Sequence, residues 1–201
     1  MYDFIGKLKN TVTTHRGRIE AAENEAAEFE RKWKGYYSDG VFAEKLGEIT
    51  AKRDTALREG NNAISRNLDS FRNALAEHFA LKGDELTDDA KLLSSGVKLD
   101  KRDLTIMFDK AKAANNHTMQ ELVQRKSLET GIPIERAYFS EQDVNDAANT
   151  LARYARSALP GGVYLSDIWN NAEKFNTIIP DALRDLYGME KPYRYTDNSN
   201  G

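Results

Sequence analysis

The first proline of this 201-residue chain is Pro133. Proline locks φ, removes an amide donor and breaks helix interiors. Everything before it is free of that interruption and rich in Ala, Glu, Lys, Leu and Arg, the strongest helix formers. Long uninterrupted helices are the expectation. With 40% hydrophobic and 30% charged residues, apolar side chains are too few for a thick core. They suit helices that each bury one stripe. The predicted fold is all-α, with a long antiparallel, coiled-coil-like helical hairpin over 1–82, a compact multi-helix module over 86–190 and a polar, flexible tail over 191–201.

The hairpin rests on two stripes. Leu8, Val12, His15, Ile19, Ala22, Ala26, Phe29, Trp33 and Tyr36 alternate spacings of four and three, the heptad pattern of paired helices. In "KGYYSDGVF", Gly35 and Gly40 flank Ser-Asp, which predicts a tight reversal. A second stripe follows from about 41 to 81: Phe42, Leu46, Ile49, Leu57, Ile64, Leu68, Phe71, Leu75 and Phe79. It thins around Gly60-Asn61-Asn62, where a kink or local loosening is expected.

"LTDDAKLLSSGVKLDKRDLTIMFDKAKAANNHTMQELV" predicts three short helices. Thr87 caps the first and Gly96 ends it. Asp100 caps the second, with Leu104, Met107, Phe108 and Ala111 on one face. Asn115-Asn116 separates the third, which opens on a Thr118–Glu121 capping box. Met119, Leu122, Val123 and Leu128 form its stripe, and Gly131 with Pro133 stops it. Ser140 starts a further helix with Val144, Ala147, Ala148, Leu151, Tyr154, Ala155 and Ala158 inward, ended by Pro160-Gly161-Gly162. Ile168, Trp169, Ala172 and Phe175 mark a short helix. Pro180 sits in the first turn of the last one, which carries Leu183, Leu186 and Tyr187.

Chemistry finds little support. The chain has no cysteine, so disulfides and thiolate metal sites are out. His15, His78 and His117 fall in different elements without metal-ligand spacing. No phosphate-cradling glycine pattern and no nucleophile elbow occurs. The carboxylates alternate with Lys and Arg, as on solvated helices. The expectation is no enzyme, no cofactor and no metal. A signal peptide is not expected from Met1-Tyr-Asp-Phe-Ile, and no apolar stretch nears the roughly 20 residues that span a bilayer.

A helix-turn-helix over 101–130 is the alternative. Gln120, Gln124, Arg125 and Lys126 are its candidate nucleic-acid contacts. Residues 86–130 hold 8 basic and 7 acidic side chains, whereas phosphate anchoring needs several unopposed cations. Protein contact is therefore preferred. Candidate interface residues are Phe29, Trp33, Tyr36 and Tyr37 at the reversal, and Tyr187, Tyr193, Arg194 and Tyr195 near the C-terminus, since Trp, Tyr and Arg dominate interface energetics.

"GYYSDGVFAEKLGEITAKRDTALREG" together with the three-helix stretch resembles small helical proteins of phages and prophages of Gram-positive bacteria, encoded among virion-structure and assembly genes. The resemblance covers roughly 36–130. It implies a non-enzymatic role in particle formation, as a scaffold-like or minor virion component. The implied partners are further copies of the chain and coat or other virion proteins, in the host cytoplasm or in the virion.

Overall fold

The computed structural model describes residues 2–134, 138–160 and 179–189. Among these residues the chain is all-helical and has no strand. Seven α-helices follow in order: α1 Phe4–Trp33, α2 Asp39–Phe79, α3 Asp88–Ser94, α4 Lys101–Ala113, α5 His117–Thr130, α6 Glu141–Ala158 and α7 Asp181–Leu186, with one 3-10 turn at Gly83–Glu85. No helix among the described residues is long and apolar enough to cross a membrane.

The chain divides into two compact units. Residues up to Phe71 join those from Val144 onward, and Arg72–Asp143 form the other. This division does not coincide with the expected boundary at 82–86. The reason lies in α6 and α7, which close back on α1 and α2. Arg16 donates to the Leu159 carbonyl (3.3 Å) and Arg156 to the Ser65 hydroxyl (3.1 Å). The expected tail, 191–201, and the short helix around Ile168–Phe175 lie outside the described residues.

In the first unit the α1 stripe is buried at Phe4, Leu8, Val12, Ile19 and Ala22. The α2 stripe is buried at Ile49, Ala56, Ile64, Leu68 and Phe71. Contacts between the two helices keep one order. Phe4 stacks on Phe71 (4.6 Å between centroids), Thr11 meets Asn67, Arg18 meets Glu59, Glu23 meets Arg53, Glu25 meets Lys52 and Phe29 stacks on Phe42 (5.2 Å). As one partner advances along α1, the other retreats along α2. The ion pairs are about one-third to just over one-half exposed and set register more than stability. α6 contributes alanines: Ala147, Ala148, Ala152, Ala155 and Ala158 are all buried. Their small side chains permit close approach.

Several local expectations change. α2 runs unbroken through Gly60, and Asn61 donates back to the Leu57 carbonyl (3.1 Å) inside the helix. Gly60 is buried because the His15 side chain and Leu159 crowd it. A Cβ there would lie 2.9 Å from Leu159 Cδ1 and 3.0 Å from His15 Cβ. The stripe thins where neighbours pack closely on the glycine, and the helix continues through it. At the reversal only Gly35 takes a left-handed conformation (φ 85°), while Gly40 already lies in α2. Ala56 is fully buried where Leu57 was expected, and Tyr154 is exposed while Ala152 is buried.

The second unit is built on a core of Leu93, Leu104, Met107, Phe108, Ala111, Met119 and Val123. Asp100 caps α4 in a reciprocal capping box with Asp103. α5 is capped by Asn116, whose side chain accepts from the Met119 amide (2.9 Å). The expected Thr118–Glu121 box does not form. Thr118 is buried, donates to Glu85 Oε2 (2.7 Å) and accepts from the Lys82 amide (3.1 Å). Thr87 holds the cap position of α3 without a side-chain cap bond, and Ser95 rather than Gly96 terminates that helix. Gly131 ends α5 in the left-handed region (φ 67°), as expected of a C-terminal glycine. Leu128 is exposed rather than inward. Ser127 is buried in its place and donates to the Ile132 carbonyl (2.6 Å).

Candidate functional site

The aromatic cluster between α1 and α2 forms because the apolar stripe outlasts the burial. Ala22 is the last buried residue of α1, and Ile49 the first of α2. Beyond them the stripe ends in Phe29, Trp33 and Tyr36, with Tyr37 next in the chain. Phe29 is half-buried, stacked on Phe42 and, at 6.2 Å, on Tyr37. Trp33 contacts Tyr36 (6.0 Å, edge-on) and Tyr37 (5.6 Å). Tyr36 is 80% exposed and Trp33 41%. Lys32 and Arg31 flank the cluster and share Glu28. The Lys32 hydrogen bond, then the Lys32 charge and to a lesser degree that of Arg31, holds the Glu28 carboxyl below its usual range. An aromatic surface with cations beside it is suited to protein contact.

The C-terminal group divides differently. Tyr187 is half-buried, and its hydroxyl is doubly engaged: it donates to the Tyr2 carbonyl (2.6 Å) and accepts from the Phe4 amide (3.1 Å). Burial raises its pKa. It ties α7 to the start of α1. Tyr193, Arg194 and Tyr195 lie outside the described residues.

On α5 the nucleic-acid candidates are not presented as a recognition surface. Gln120 is buried and Gln124 half-buried. Arg125 pairs with Glu121 (2.7 Å) and Lys126 with Glu129 (3.3 Å) on the same helix. Glu121 also accepts from the Tyr138 hydroxyl, which burial and this carboxylate push to a higher pKa. A phosphate would have to displace an acid from each cation.

Two of the three histidines, distant in sequence, come together. The rings of His78 and His117 lie 3.9 Å apart. Among the described residues no group of three or more His, Cys, Asp or Glu could hold a metal ion. Burial pushes His78 down to about 4, with repulsion from His117 and Lys82 added and Glu85 opposing. An unfolded histidine titrates near 6.5, so the unfolded chain takes up the proton first as pH falls. The stabilisation from neutral His78 is complete above about pH 6.5 and is lost as pH falls toward 4. We expect a loss on the order of 1–2 kcal/mol across that window, discounted for partial exposure. Urea denaturation of the wild type and His78→Gln at both ends checks it. An equal pH dependence in the two proteins would dismiss the role of His78.

Sequence reasoning did not find a groove in the second unit. It has a volume of about 830 Å³ and lies between α5 and the segment Leu81–Ser94. Its apolar walls are Leu81, Leu86, Ala90, Leu93 and Leu122. The available signal was the exposed pair Leu81 and Leu86, which bracket "KGDE" outside any helical stripe.

No family model matches this chain, and no curated protein or solved structure resembles it significantly.

Proposed function

We propose that the protein is a non-enzymatic structural or assembly component of a phage or prophage, acting by self-association and by contacts with coat or other virion proteins. In this reading α1 and α2 form an antiparallel, coiled-coil-like hairpin whose aromatic end is the association surface. The ordered contacts from Phe4–Phe71 to Phe29–Phe42 support the hairpin. The phage assignment rests on the resemblance over 36–130.

The observation that carries the reading is the mismatch between stripe and burial. The heptad pattern continues to Tyr36, yet nothing on α1 past Ala22 is buried. A second copy of the chain, presenting the same stripe, would cover Phe29, Trp33 and Tyr36 with matching spacing. The nucleic-acid alternative draws no comparable support, because Arg125 and Lys126 are opposed by Glu121 and Glu129.

Light scattering coupled to size-exclusion chromatography at two protein concentrations tests this. The wild type is expected to run as a dimer or larger species, and Trp33→Ser/Tyr36→Ser to shift toward monomer by about tenfold or more in dissociation constant. A wild type that stays monomeric at both concentrations would defeat the self-association reading.

A further inference from the structure

We infer that His78 and His117 form an acid-operated latch, which holds the Gly83–Glu85 turn on the start of α5 at neutral pH and releases it in acid. The latch lies wholly within the second unit and is independent of self-association.

The two rings meet where the end of α2, the turn and the start of α5 converge. His78 lies in the last turn of α2, and His117 is the first residue of α5. Their centroids are 3.9 Å apart, and the Phe79 ring borders both, at 5.2 and 6.3 Å. Hydrogen bonds stitch the turn to α5. The Lys82 amide donates to the Thr118 hydroxyl (3.1 Å), and that hydroxyl donates to Glu85 Oε2 (2.7 Å). The Asn116 side chain donates to the Glu85 carbonyl (2.6 Å). Asn116 and Thr118 flank His117 in the chain, so parting the rings pulls on all three bonds.

Acid puts charge where this junction holds it badly. His78 Nε2 is buried and, among the described residues, has no hydrogen-bond partner. A proton added there finds no acceptor. Two imidazolium rings in contact also repel. Burial above all, then His117, then Lys82 hold His78 below the usual histidine range; Glu85 opposes them, and the amino terminus adds the least repulsion. Glu85 is the one acid in that set, and its two oxygens are already shared between Lys82 and Thr118. The open form suits the charge better. Freed from burial, a protonated His78 sits in the last turn of α2, where the helix dipole favours a cation. Exposed histidine titrates near 6.5, so opening takes up a proton. The closed form is fully favoured above that pH and loses ground as pH falls through the window below it.

Hydrogen exchange at single amides of the full-length protein, corrected for the intrinsic pH dependence of exchange, tests this between about pH 6.5 and 4.5. Protection of the bonded amides of Lys82, Glu85, Leu86 and Met119 should fall by about tenfold, while residues 104–111 in α4 keep theirs. His117→Gln should cut the fall to about threefold or less and move the His78 ring titration, read by NMR, up toward the ordinary histidine value. His78→Gln should abolish the fall. Circular dichroism at neutral pH checks that both variants fold. A loss of protection spread evenly over the second unit would make the effect global unfolding and sink the latch. So would no loss at these amides, or a loss as large in both variants as in the wild type.

Discussion

Phe108→Ala is expected to lower stability by about 3–5 kcal/mol. Phe108 is fully buried in the second unit, where Leu104, Met107 and Val123 belong to the same core. It meets Tyr138 edge-on at 5.9 Å. Truncation removes the transfer energy of the ring and leaves a cavity between α4 and α5 that a small three-helix core has little means to close. The Tyr138 ring also loses its partner, and its hydroxyl is fixed on Glu121, which restrains it from collapsing into the space. Urea denaturation followed by circular dichroism measures the loss. Hydrogen exchange should place it in α4 and α5. A loss under about 1 kcal/mol would mean that the core repacks freely or that Phe108 is not central to it.

Gly60→Leu is expected to cost about 3 kcal/mol, the upper part of the range for overpacking. Glycine in a helix interior is ordinarily a weakness of about 1 kcal/mol relative to alanine. Gly47, also in α2, is such a case: a Cβ there meets nothing within 4 Å, and Gly47→Ala should stabilise by about 0.5–1 kcal/mol. Gly60 differs because Leu159 and His15 stand 2.9 and 3.0 Å from where its Cβ would be. Leu159 has its carbonyl held by Arg16 (3.3 Å) and is itself fully buried, so it has little room to yield. Thermal unfolding of the two variants side by side separates propensity from packing. If Gly60→Leu were as stable as wild type, α6 would not lie against this glycine.

Sequence alone was a sound guide at several termini decided within one turn, though not at α3, where Thr87 makes no cap bond. Asp100 caps α4 and Gly131 ends α5 as expected, since a cap and a left-handed terminus are decided within one turn. The Thr118 hydroxyl shows the limit. Its sequence context reads as a capping box, but Glu85, 33 residues away, takes the hydroxyl and Asn116 takes the cap. The candidate site divided along the same line. Phe29, Trp33, Tyr36 and Tyr37 gather because they are close in sequence. Tyr187 could not be assigned from its neighbours, because its partners are Tyr2 and Phe4. The groove was hidden for the same reason: Leu81, Leu86 and Leu122 share no periodicity, and only the packing of α3 on α5 brings them to one surface.

What the sequence determined by itself is the all-helical class. The first 132 residues lack proline and repeat their apolar side chains at helical spacing, and backbone hydrogen bonding within each segment follows from that. Tertiary structure decided which part of each stripe is buried. Ile19 and Trp33 occupy equivalent stripe positions on one helix, yet Ile19 is fully buried and Trp33 is exposed. Periodicity specifies the face on which a side chain lies. Whether water is excluded from that face depends on what packs there, and for α1 the covering elements include α6 and α7, more than a hundred residues away in the chain.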